Sequence, residues 1–195
     1  MMKDRSLAFT RQPLPRQLCD LDRLLFEMEQ RGLDGLVAVT PNNVFYLSGF
    51  NGIAHKSDEP RPYAFVLSRH APSHPILIVA DYYVATAAAQ PSWVDDVRSF
   101  RAVMMPLDLK ANEQDIERFI PETAAEVPWL DTLRSTFKFG LTPAIELALS
   151  DLGLTGKTVG FDDLRLAGSQ PSVTTRDAYD TLMATRAIKT PAEIE

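Results

Sequence analysis

Residues 33–50 read LDGLVAVTPNNVFYLSGF. The opening LDGLVAV is a short apolar run, the pattern of a buried strand. Thr40 and Pro41 then restart the chain as a helix, because threonine suits the N-cap and proline the first helical position. Gly49 stands where a helix of this length stops. A buried strand running straight into a capped helix is one α/β unit, and the remaining sequence is read for repeats of that alternation.

Upstream, residues 1–14 carry little pattern and read as a loose arm. Leu18, Leu21, Leu25 and Met28 then recur every three or four residues, which predicts a helix closed by Gly32. Cys19 lies beside that stripe and reads as a packed thiol. Downstream, YAFVLS (63–68) and PILIVA (75–80) are strands, the second apolar on both faces. Asp81 is placed to cap an alanine-rich helix from Tyr82 to Ala89, and VDDVRSF (94–100) is a weaker strand near a sheet edge. Residues 101–120 show little pattern. PETAAEVPWLDTLRSTFKFG (121–140) reads as mostly helical, broken or opened at Pro128. Thr142 and Pro143 start a further helix that Gly153 ends, KTVGF (157–161) is a strand, and SVTT (172–175) a short one. Thr175 is expected to cap a helix through DAYDTLMATR. This alternation predicts α/β layers around a central sheet.

Composition narrows the classes of function. The 195 residues are 45% hydrophobic, enough for one sizeable core. Twenty basic against 26 acidic side chains give a net charge of -6, which argues against nucleic acid as the main partner. A single cysteine excludes an intrachain disulfide and suits a reducing compartment, read as the cytoplasm. The sequence has no signal-peptide pattern and no run of membrane-spanning length, so no membrane partner is expected.

Catalytic motifs do not assemble. His70 and His74 have the helical spacing of metal ligands, but Pro72 and Pro75 turn RHAPSHP into a loop. DLGLTGKT (151–158) ends like a phosphate-binding loop, yet Asp151 holds the place of its first glycine and a helix precedes where a strand is needed. Ser48 lacks the flanking pattern of a nucleophile elbow. Asp95–Asp96 fall in a strand, on opposite faces, and Asp162–Asp163 follow a strand as caps of the next turn. No catalytic or metal-binding residue is assigned. The polar loop NGIAHKSDEPRP (51–62) remains, with His55, Asp58, Glu59 and Arg61 as candidate binding groups alongside Lys56.

The order of motifs carries a resemblance. Arg23–Leu24, Gly32–Leu33–Asp34, Asn43 with Tyr46–Leu47–Ser48–Gly49–Phe50, KTVGFDD (157–163), and the run Arg186, Lys189, Thr190, Glu193, Ile194 together resemble the N-terminal domain of the creatinase, prolidase and aminopeptidase P family. The resemblance implies an α/β fold with a central mixed sheet of about five to six strands flanked by helices. It implies an arm at 1–14, the domain itself at 15–185, and at 186–195 the start of a linker to a separate catalytic domain. That second domain would hold two divalent metal ions (manganese, cobalt or zinc), with no cofactor in this part. It further implies a homodimer, a peptide or small amide substrate, and a loop 51–62 that helps define the substrate pocket. There, Arg61 or His55 would donate to a substrate carboxylate or carbonyl, and Asp58 or Glu59 would hold an amine. Alternatives of the same fold are a non-catalytic protein-interaction module and the N-terminal domain of a creatinase-like or lyase relative. A free-standing small-molecule-binding domain is a further reading.

Overall fold

A computed structural model describes residues 17–52, 62–90, 92–102, 116–124 and 126–189. Helix α1 (Leu21–Gln30) is capped by Asp20, whose carboxylate accepts from the Arg23 N–H at 3.0 Å. It leads into strand β1 (Gly35–Ala38) and helix α2 (Pro41–Ser48). Strands β2 (Tyr63–Ser68) and β3 (Ile76–Ala80) follow, then helix α3 (Val84–Ala89) and strand β4 (Asp96–Phe100). Helices α4 (Leu130–Thr136) and α5 (Leu141–Asp151) precede strand β5 (Thr158–Phe161). A short helix α6 (Leu164–Ala167), strand β6 (Thr174–Asp177) and helix α7 (Tyr179–Arg186) complete the order.

The six strands form one mixed sheet in the order β4-β3-β2-β1-β5-β6. Strand β2 runs antiparallel to both neighbours, and every other pairing is parallel. Every residue of β1, β2 and β3 is buried, which is why those segments are apolar throughout instead of alternating. Helix α5 packs over β2, β3 and β4, and α1 packs against α7. Leu24, Met28, Ile145 and Leu149 are fully buried between these layers. Cys19 is buried at the margin of the same core, as the stripe predicted. Strand β4 does lie at an edge, and its one charged inward group is neutralised there. Arg98 is 5% exposed and is held by both Asp96 oxygens, at 3.0 and 2.8 Å, and by Asp151 at 2.5 Å.

Several local expectations are corrected. Asp81 does not cap an α-helix: Asp81–Tyr83 is a 3-10 turn, and α3 begins only at Val84, after Tyr83. Thr175 lies inside β6, and Asp177 receives the Tyr179 N–H at 2.8 Å as α7 begins. The helix foreseen from Thr142 starts at Leu141 behind Gly140, whose φ of +114° lets the chain turn sharply into it. Of the span 121–140, residues Leu130–Thr136 form an α-helix, and Glu122–Ala124 a 3-10 turn.

Candidate functional site

Because β1, β3, β4, β5 and β6 run parallel, Ala38, Ala80, Phe100, Phe161 and Asp177 end on one edge of the sheet. Chain connectivity reverses between β1 and β5, since β1 leads away to β2 while β5 enters on its other side. In open α/β sheets such a reversal leaves a crevice at the strands' carboxyl ends, and ligands bind there. At that reversal this chain places a carboxylate of its own. Asp162, directly after β5, accepts from the Val39 N–H (2.8 Å), the Thr40 N–H (3.1 Å), the Thr40 hydroxyl (2.7 Å) and the Asn43 amide (2.9 Å). An anion at a helix N-terminus is favoured by the free N–H groups and the helix dipole, and Asp162 supplies it from within.

This corrects the expectation for Asp162–Asp163. Asp163 does cap α6, receiving the Arg165 N–H at 3.0 Å. Asp162 instead reaches back 119 to 123 positions in sequence to fix the start of α2. Thr40 is the N-cap of that helix without a side-chain capping bond, because its hydroxyl is committed to Asp162.

The other end of α2 is held as firmly. Gly49 adopts φ 78° as the C-cap, a conformation costly for other residues, and its N–H bonds to Phe45. The carbonyls of Leu47 and Ser48, which have no partner inside the helix, accept from the Trp93 indole at 2.8 Å and the Ser92 hydroxyl at 2.7 Å. The Gln90 side chain then pairs with both backbone groups of Asn51, at 2.9 and 3.0 Å, in the manner of a strand neighbour. Residues 51 and 62, on either side of the polar loop, therefore sit on fixed structure. Ala80 donates its N–H to the Pro62 carbonyl at 2.8 Å. Phe50, Tyr63 and Tyr83 meet edge to face with centroids 5.4 to 6.1 Å apart.

Gly52 is required by this packing. A Cβ there would lie 2.3 Å from Tyr63 Cε1, and Tyr63 is itself enclosed by the aromatic cluster. Gly52→Ala is expected to cost about 1–2 kcal/mol by overpacking. Near-ultraviolet circular dichroism should report the displaced tyrosines, and an unchanged spectrum would refute the close packing. Beside Gly52 opens a recess of about 240 Å³ lined by Pro41, Asn42, Phe45, Asn51 and Gly52. Its described lining carries no charge and combines Pro41 and Phe45 with the side-chain amides of Asn42 and Asn51, and it stands at the root of the loop.

The candidate binding groups His55, Asp58, Glu59 and Arg61 lie outside the described residues. His70 and His74 do not converge: His70 meets Asp34 at 3.2 Å and His74 meets Ser73 at 2.8 Å, in the turn between β2 and β3. Asp34 serves the opposite edge of the sheet. The Thr158 backbone N–H, then His70, hold its carboxyl below the ordinary range. Residues 152–157 form the turn between α5 and β5, with no phosphate-loop geometry. Among the described residues, no group of three or more His, Cys, Asp or Glu side chains is placed to hold a metal ion. No described helix is long and apolar enough to cross a membrane.

Motif residues scattered along the sequence do converge. Arg23 donates to the Ala184 carbonyl of α7 at 2.9 Å, across 161 positions. Arg186, the last residue of α7, donates to the Asn43 side-chain oxygen at 3.2 Å, and its guanidinium lies 5.5 Å from the Tyr46 ring centroid. Asn43 thus joins Asp162 on one side to Arg186 on the other. Sequence reading places Arg23, Asn43, Tyr46, Asp162 and Arg186 in four motifs, but nothing in the spacing of those motifs says that they meet.

The family model of the Creatinase/Prolidase N-terminal domain matches residues 21–173. No curated protein matches the chain by sequence. Among solved structures, the chain is similar to a recombinant prolidase from Thermococcus sibiricus (TM-score 0.55, 13% identity), covering 89% of this chain and 38% of that one. It is similar to an Xaa-Pro dipeptidase from Bacillus anthracis (TM-score 0.52, 15% identity), covering 89% and 37%. A proline dipeptidase structure from Streptococcus pneumoniae TIGR4 (TM-score 0.50, 18% identity) is matched over 88% of this chain and 100% of its own. The chain therefore spans less than two-fifths of the Thermococcus and Bacillus proteins. At these identities the likeness is one of fold.

Proposed function

The chain belongs to the creatinase/prolidase N-terminal domain family, and from that premise we propose that it shapes the substrate site and supports assembly in a hydrolase of the Xaa-Pro dipeptidase type. The observation that carries this reading is the two-ended clamp on α2, which fixes the root of the polar loop through Asn51. A loop that is only solvated surface needs no such anchorage, whereas a loop that presents binding groups does. In this proposal Arg61 or His55 donates to a substrate carboxylate or carbonyl, and Asp58 or Glu59 receives an amine. The substrate is a peptide or small amide.

Bond cleavage and the two divalent metal ions, manganese, cobalt or zinc, are assigned to a further domain of a longer protein. The domain works as a homodimer in the cytoplasm, where the buried Cys19 thiol stays reduced. The test is to isolate the natural product that contains this sequence and assay it with manganese or cobalt against Xaa-Pro dipeptides. Metal-dependent release of proline is expected, with KM raised by substitution of His55, Asp58, Glu59 or Arg61. A natural product without turnover on these peptides, or loop substitutions without effect on KM, would overturn the reading.

A further inference from the structure

The end of α7 is held by two arginines, Arg23 reaching it from α1 and its own Arg186 reaching α2. Arg23 binds the Ala184 carbonyl, one of the last four of α7 and so without a partner inside the helix. Arg186 binds the Asn43 oxygen, whose amide nitrogen is already given to Asp162. The guanidinium of Arg186 also lies against the Tyr46 ring, so a planar cation is held by two different contacts on one helix. Beyond Arg186, Ala187, Ile188 and Lys189 are exposed. Arg186 is the last residue of α7, so its grip on Asn43 and Tyr46 joins the point where the helix ends to α2. The same helix α2 carries Gly49 and Asn51 at its far end, and with them the root of the polar loop.

We infer that Arg186 is a positioning residue: by gripping Asn43 and Tyr46 it ties the exit of the chain from this domain to the helix that carries the polar loop. The inference rests on the proposed function only for its purpose, since presenting a loop to a site elsewhere in a longer protein requires a fixed angle between loop and exit. The grip itself is a property of this chain and is tested without any activity.

The test measures spin-label distances in the 195-residue chain between nitroxides at Asp131→Cys and Ile188→Cys, both exposed, with the buried Cys19 left in place. A single narrow distance is expected. Arg186→Gln should lose it and give a broad distribution, while far-ultraviolet circular dichroism and the melting midpoint stay close to those of the parent. Arg186→Lys, which keeps the cation over Tyr46, should retain part of the narrow component. Asn43→Ala removes the other half of the contact with Arg186 intact and should broaden the distribution too. Arg165→Gln, which breaks a pair with Asp163 and touches neither Asn43 nor Tyr46, should change nothing. A narrow distance that survives both Arg186→Gln and Asn43→Ala overturns the inference, as does equal broadening in Arg165→Gln. If Arg186→Gln does not fold, Asn43→Ala and Arg186→Lys decide by the same readout. Loss of peptidase activity in a longer protein with the narrow distance intact would count against the proposed function and leave this inference standing.

Discussion

Asp162→Ala is expected to lower the unfolding free energy by about 3–4 kcal/mol, the largest single loss foreseen in this chain. The carboxylate receives four hydrogen bonds from three residues of the β1–α2 junction, all between 2.7 and 3.1 Å. Each bond to a charged acceptor contributes about 1.5–3 kcal/mol, but the site is only part-buried, so water recovers a share on truncation. Two of the donors are backbone N–H groups at the start of α2, where the helix itself offers no acceptor. Urea unfolding followed by circular dichroism measures the loss. Asp162→Asn discriminates between charge and shape. Oδ2 takes three of the four donors and Oδ1 one, so the amide is best placed with its NH2 at the Oδ1 position, against Val39 N–H alone. That variant should lose about 2 kcal/mol, less than alanine. An alanine variant as stable as the parent would mean that the four bonds are replaced by water at no cost.

The unequal legibility of this chain follows from where its information is stored. Strands β1, β2 and β3 are readable because burial on both faces forces an uninterrupted apolar run, and a run is a local signal. The ends of α2 are readable because proline and glycine act on their own backbone angles. The start of α7 is misread because Thr175 and Asp177 both have cap-forming side chains. The choice between them is made by β6 pairing with β5, a contact that local sequence does not encode. Asp81 is misread for a related reason: aspartate before a helical pattern is a cap by local rules, and only the fold shows that it is buried under residues 101–102. The network of Arg23, Asn43, Asp162 and Arg186 is the extreme case. Its hydrogen bonds span 119 to 161 positions, so each residue looks like an isolated polar residue until the fold brings the partners together. Family resemblance marked these residues without saying that they touch. The contacts give the marks a physical reason, in that one helix must be fixed at both ends.

Asp81 leads to the second large effect, of opposite sign. Its side chain is 3% exposed at the end of β3, beside the turn into α3. Burial pushes its carboxyl up from 3.8 to about 6, against the opposing pull of the Ala102 N–H, Arg101 and its own backbone. Between those two values the folded chain binds more protons than the unfolded chain, so stability falls as pH rises. The contribution of Asp81 is full below about pH 3.8 and is lost as pH rises through about 6. A shift of that size, at 1.36 kcal/mol per unit, corresponds to about 2–3 kcal/mol of unfavourable charge burial at pH 7. Asp81→Asn removes the charge and keeps Oδ1, which receives both the Tyr82 N–H at 3.0 Å and the Ala102 N–H at 3.4 Å. The variant should therefore be more stable than the parent by about 2 kcal/mol at pH 7, with the gap closing as the pH is lowered toward 4. Urea unfolding of both chains across pH 4 to 8 measures it. A variant less stable than the parent at pH 7, or a gap that does not change with pH, would show that the ionised Asp81 carboxylate is solvated or paired in the folded chain.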